Sequence, residues 1–172
     1  MVKLIGAVLI LFAGTMIGFQ QASRFAQRPR QIRQLIHALQ RLETEIGYGY
    51  TPLPEAVEHA SDHLPEPVRT LFRQVGAMLK EEQEHSFREC WERTAAAHWG
   101  TTAMKSPERT AFVRLGASLG MSDRDDQIKH LRLAVSQLQT EEEAARDDQA
   151  RYERMSKSLG VLVAALVVIL IV

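Results

Sequence analysis

His59 and His63 lie four residues apart, flanked by Glu58 and Asp62. On one helical face that spacing could hold a metal ion. The stretch lacks the HExxH pattern that would add a catalytic base, so it reads as a polar helix surface. Asp123, Asp125 and Asp126 offer oxygen ligands in a short run. The glycine and distal glutamate that a calcium loop needs are missing, and helix capping accounts for all three acids. Cys90 is the one cysteine, next to Trp91 with no basic pair arranged around it. It reads as a buried structural thiol; alone it excludes an internal disulfide and suits a reducing compartment. Gly116, Gly120 and the Gly47/Gly49 pair match neither a phosphate loop nor a dinucleotide fingerprint, and no serine sits in a nucleophile elbow. Trp91 and Trp99 are expected in the core. These residues predict no catalytic site, no metal and no cofactor.

The elements that would carry them read as helix throughout. Ile32, Leu35, Ile36, Leu39, Leu42 and Ile46 recur at helical spacing and end at Gly47-Tyr48-Gly49-Tyr50. A short helix follows on Leu53, Val57, Ala60 and Leu64. A third opens at Pro65 and Pro67 and buries Val68, Leu71, Phe72, Val75 and Leu79; proline is tolerated in a first turn, whose amides have no partner. Ser86 with Glu89 makes a capping box for a fourth helix carrying Phe87, Trp91 and Ala95. Ser106-Pro107-Glu108 starts a fifth, with Phe112, Val113 and Leu119, and Gly120 stops it. No segment alternates with the period of a strand.

The last helix is the longest. Ser122 with Asp125 makes a second capping box, and the neighbouring acids suit the positive end of the helix dipole. Ile128, Leu131, Val135, Leu138, Glu142, Ala145, Gln149 and Tyr152 continue one stripe with no glycine or proline before Gly160. The helix is expected to run unbroken into the C-terminal apolar run, the alternative being a break near Glu141 to Glu143. Because its later stripe positions are polar, its second half is expected to leave the bundle as a charged stalk.

Both chain ends are apolar. Leu4 to Phe19 and Leu159 to Val172 carry no charged side chain. Each run is short for a hydrocarbon core of about 30 Å, spanning roughly 24 and 21 Å as helix. Arg24, Arg28, Arg30 and Arg33 follow the first run; Arg146, Arg151, Arg154 and Lys157 precede the second. Juxtamembrane cations stay on the cytoplasmic side. The predicted topology is a two-pass cell-membrane protein with a cytoplasmic middle. Arg24, Arg28, Arg30, Arg33, Arg151, Arg154 and Lys157 would set its orientation. A cleaved secretory signal would carry its charge before the run and end in a small-residue site. The expected organisation is an N-terminal transmembrane helix over 1–20, a helical domain over 21–157 and a C-terminal transmembrane helix over 158–172. The fold class is all-α, a bundle of about six helices. The central part is a comfortable single-domain size, at about 135 residues. With 21 basic and 21 acidic residues the chain is neutral, which gives no ground for a nucleic-acid partner.

Four blocks in order, KLIGAVLILFAGTMIGF, RPRQIRQLIHALQRLETEIGYGYTPLPEA, LGMSDRDDQIKHLRLA and LGVLVAALVVILIV, resemble the stage III sporulation protein AB family across nearly the whole chain. The resemblance implies a membrane protein of endospore-forming bacteria, in the channel complex between mother cell and forespore. The soluble part of that family is similar to the cytoplasmic domain of type II secretion and type IV pilus platform proteins. By that analogy the partners are the stage III sporulation protein AA ATPase and other channel-complex subunits, with a homo-oligomer left open. Asp123, Arg124, Asp126, Gln127, Lys129 and His130 offer more polar groups than capping requires, and form the expected partner-docking patch. Two other classes remain. A membrane-tethered adaptor or sensor would bind without regard to nucleotide, and a lipid or cell-wall enzyme would need a polar pocket that the scattered candidates do not supply.

Overall fold

The computed structural model describes residues 23, 25–81, 85–121 and 123–156, with the backbone continuing as helix through 171. The described residues form helices and no strand. Helix α1 (25–44) runs into a π-helical turn at Glu45–Gly49. Then come α2 (Leu53–Ser61), α3 (Val68–Glu81), α4 (Phe87–His98) with a 3-10 turn at Trp99–Thr101, α5 (Ser106–Leu119) and α6 (Arg124–Ile171). The predicted membrane segments 1–20 and 158–172, with Arg24 and Lys157, lie outside the residues whose side chains are described. Among the described residues no helix is long and apolar enough to cross a membrane.

Local chemistry explains where the helices start. Ser86 Oγ accepts from the Glu89 amide while the Glu89 carboxylate accepts from the Ser86 amide, so the expected capping box opens α4. Glu108 reaches back to the Lys105 amide at 2.8 Å and starts α5. The cap of α6 differs from expectation. Asp123 Oδ1 accepts from the Asp126 amide at 2.9 Å, and Ser122 lies outside the described residues. Aspartate serves because the helix begins at Arg124, which makes Asp123 the residue whose side chain faces the free amides. Helix α2 ends at Ser61, so Leu64 follows it rather than lying on it, though Leu64 still packs on the core.

The predicted apolar faces meet in one core. Ile32, Leu35, Leu39, Leu42, Val57, Leu71, Phe72, Leu131 and Leu138 are fully buried. At its centre Trp91 stacks on Phe112, with ring centroids 4.3 Å apart, and Phe72 meets both edge-on. Trp91 Nε1 donates to the Phe112 carbonyl at 2.7 Å, which satisfies the one polar atom of the buried indole. Gly116 lets this happen. A Cβ there would lie 2.2 Å from Trp91 Cδ1, so the indole occupies the space a side chain would need.

Helix α6 is continuous over 48 residues, about 72 Å, without a break at Glu141–Glu143. As far as Tyr152 it does not leave the bundle as the expected free stalk. Phe25 of α1 stacks on Tyr152 at 4.7 Å, Arg28 meets Asp148, Arg33 meets Glu142, and Arg132 meets Glu43. At the polar stripe positions Glu142 and Tyr152, α1 supplies the partners, while Gln149 bonds within α6 to Glu153. As residue numbers rise along α1 they fall along α6, so the two pack antiparallel and their described outer ends share one pole.

Gly116→Ala is expected to lower stability by about 2 kcal/mol, because the indole and its carbonyl partner must shift together. Thermal unfolding of the purified protein followed by circular dichroism would measure it, and an unchanged midpoint would show that the indole has room to move.

Candidate functional site

Two polar constellations stand out against the apolar core. The first lies between α1, the start of α5 and α6. Arg28, at 5 % exposure, follows the same helical stripe as Ile32 one turn later. Its guanidinium meets Glu108 Oε1 through Nε at 2.8 Å and Nη2 at 2.7 Å. It also meets Asp148 at 3.1 Å and Glu141 at 3.5 Å. Glu108 is wholly buried, yet both oxygens are used: one takes Arg28, the other the Lys105 amide. Lys105 Nζ adds a bond to Asp148 at 3.2 Å. A charge removed from water in this way is tolerable only because both oxygens accept hydrogen bonds and an opposite charge lies against it.

Beside it Glu142 Oε1 accepts from Arg33 at 2.8 Å and from Arg146 at 2.6 Å. Burial alone would raise the Glu142 pKa, but the hydrogen bonds from Arg33 and Arg146 outweigh it. The carboxyl is held below its ordinary value. Arg28 and Arg33, expected beside a membrane, are thus bonded within the domain, while Arg30, Arg151 and Arg154 are exposed.

The second constellation is the pole opposite Phe25 and Tyr152, where the π-turn of α1 meets the α5–α6 junction. The expected docking residues divide here. Arg124 Nε donates to the Ile46 carbonyl at 2.9 Å, and its guanidinium lies 3.9 Å from the Tyr50 ring centroid. Gln127 Nε2 donates to the Leu119 carbonyl at 2.6 Å. Both side chains satisfy carbonyls at helix ends, where the backbone has run out of amide partners. Asp123 caps α6. Lys129 pairs with Asp126 at 2.8 Å on the surface, which draws the Asp126 pKa down and the Lys129 pKa up. His130 is exposed beside them. Of the six expected residues, Asp126, Lys129 and His130 therefore offer an outward surface. Tyr48, Tyr50 and Met121 flank them at 85 %, 77 % and 81 % exposure, an apolar contribution that periodicity did not single out.

The other candidates are placed elsewhere. His59 Nδ1 lies 3.4 Å from Glu45, which also accepts from Thr51. Hydrogen bonds from Thr51 and then His59 hold the Glu45 carboxyl below its ordinary pKa. His63 follows the end of α2 with φ of 64°, off the face that His59 occupies. Cys90 is buried in α4. A shallow cavity of about 240 Å³ between α2 and α3 is lined by Glu58, Arg73, Gly76, Ala77, Lys80 and Glu81, with Lys80 bonded to Glu58 at 2.6 Å.

Replacing Arg28 by Met should cost about 3 kcal/mol, since Glu108 is left charged and dry. Adding Glu108→Met should recover much of that loss in urea unfolding; simple additivity of the two would argue against direct coupling. Acid should act on the same seam. A carboxyl with a depressed folded pKa contributes stability above its unfolded pKa, and the contribution disappears as pH falls through the folded one. For Glu142 the loss begins near the ordinary value of 4.5 and is complete below the depressed folded value. Glu142→Gln should therefore flatten the fall in stability below about pH 5, read from unfolding midpoints against pH. A curve parallel to the parent's would exclude Glu142 from this role.

Comparison with known proteins gives consistent matches. A family profile described as "Stage III sporulation protein AB" matches residues 3–172. The chain is 42 % identical over 171 residues to Stage III sporulation protein AB of Bacillus subtilis (strain 168), covering 99 % of each chain. It is also similar to a solved structure of Stage III sporulation protein AB, with TM-score 0.68 and 39 % identity. That match covers 73 % of this chain and 98 % of the solved one.

Proposed function

The chain belongs to the stage III sporulation protein AB family, and from that premise we propose that it is a non-enzymatic platform subunit of the mother cell–forespore channel complex. In this reading it sits in the mother-cell membrane by both apolar ends. Its helical domain docks a cytoplasmic secretion-type ATPase, by resemblance the stage III sporulation protein AA ATPase, and couples it to the channel proteins.

The observation that carries the reading is the antiparallel α1–α6 seam. It brings the described ends of both helices to one pole and leaves the Asp126–Lys129–His130 surface with Tyr48 and Tyr50 at the other. A platform needs this division, with attachment at one end and an accessible contact surface at the far end. It also needs a stiff connection between them. The continuous α6, held to α1 by ion pairs and the Phe25–Tyr152 stack, suits that role. A displacement applied at the far pole would reach the chain ends with little loss in bending, because packed elements resist compression.

The test is recruitment. Lys129→Glu combined with His130→Glu should weaken capture of the purified ATPase by the vesicle-reconstituted protein about tenfold, with circular dichroism unchanged. Arg124 is left intact, because its reversal would also unseat the π-turn. Undiminished capture would take this surface out of the docking model. Capture that ignores the nucleotide state of the ATPase would favour a plain tethered adaptor.

A further inference from the structure

The outward side of the α1–α6 layer carries exposed cations on α1 and two exposed acids on α6, beside Arg146, which is drawn to Glu142. Arg30 and Arg33 are exposed on α1, and Glu143 and Asp147 are exposed on α6. Arg30, Glu143 and Asp147 form no ion pair among the described residues. Arg33 spends Nε on Glu142 but is half exposed, so it keeps further N–H donors. The seam sets the heights of these groups. Arg28 meets Asp148 and Arg33 meets Glu142. Arg30 therefore lies within about two residues of the height of Asp147, and Arg33 within about one of Glu143, offsets of roughly 3 Å or less that these long side chains span.

From this matched register we infer that the face binds a second copy of the chain, as a two-fold dimer whose axis runs along α1 and α6. Rotation by half a turn about such an axis keeps every residue at its height and lays α1 of one copy over α6 of the other. Arg30 then faces Asp147 of the second copy and Arg33 faces its Glu143, and the same two contacts recur on the other side of the axis. An isologous interface requires this kind of self-complementarity, in which one patch serves as both halves. Leu133, at 66 % exposure, adds apolar area farther along α6.

The inference rests on the membrane-anchored reading for its affinity. Exposed ion pairs alone are weak in water, but two chains held upright in one membrane meet only by rotations about its normal and at a high effective concentration. Under that constraint the charges select partner and register.

The test uses the full-length chain in phosphatidylcholine vesicles, labelled with donor and acceptor dyes. The chain should co-float with the vesicles, transfer energy between copies and bleach in two steps. Arg30→Glu and Asp147→Arg should each weaken pairing about tenfold, since each reversal is felt twice across the axis. The double variant in one chain should restore it, because the swapped charges again meet their opposites. Helicity by circular dichroism should not change in any of the three. A chain that floats but stays single, a double variant no better than the single ones, or bleaching in more than two steps would overturn the dimer. A chain that fails to float would overturn the anchored reading, and with it the setting in which the dimer forms.

Discussion

The buried pairing of Arg28 with Glu108 is the constraint around which the rest of the molecule is arranged. Glu108 has no exposure to water, so its charge must be answered on both oxygens. One answer is local, the Lys105 amide at the start of α5. The other comes from a residue eighty positions earlier in the chain. Arg28 in turn has donors left over, which Asp148 and Glu141 of α6 accept. Three segments distant in sequence are thereby fixed at one point. An apolar contact there could slide by a turn at lower cost, whereas a slipped register here would leave the Glu108 charge buried and unpaired.

That register reaches both ends of the domain. Toward the chain ends it sets Phe25 on Tyr152; toward the other pole it sets Glu43 on Arg132 and Arg124 under Tyr50. The aromatic cluster around Trp91 sits at the centre of the apolar core, but it does not reach the α1–α6 seam. It holds α3, α4 and α5 together and leaves the alignment of α1 against α6 to the charges. The proposed roles, transmission of displacement and pairing of copies, both depend on that alignment.

Some of this was legible in the residue order. The three-four spacing of Ile32 to Ile46 and of Leu131 to Ala145 marks buried stripes, since only a helix brings such positions to one face. Ser86 with Glu89 marks a helix start, because capping is a local transaction. The seam was legible in a weaker form. Arg28 and Glu142 are charges on otherwise apolar stripes, and a charge in such a place must be paired. Taken alone, however, Arg28 reads as one more cation following an apolar run. Likewise Glu108 reads as an ordinary first-turn acid, and Arg124 and Gln127 as docking groups rather than ligands of Ile46 and Leu119 carbonyls.

By itself, then, the sequence determined what local periodicity and capping can determine. It specifies an all-α domain between two apolar runs, the approximate helix limits, an unbroken last helix and the absence of any motif for catalysis. Its resemblance to a sporulation family, which the whole-chain matches support, belongs on the same side. Tertiary structure decided which charges are partners and which are left facing solvent. It packed the expected stalk against α1 as far as Tyr152, and of the expected docking residues it left Asp126, Lys129 and His130 facing outward with side chains not spent on backbone groups. The physical reason is that a charge carries no label for its partner. Coulombic pairing depends on distance and burial, and both exist only after the chain has closed.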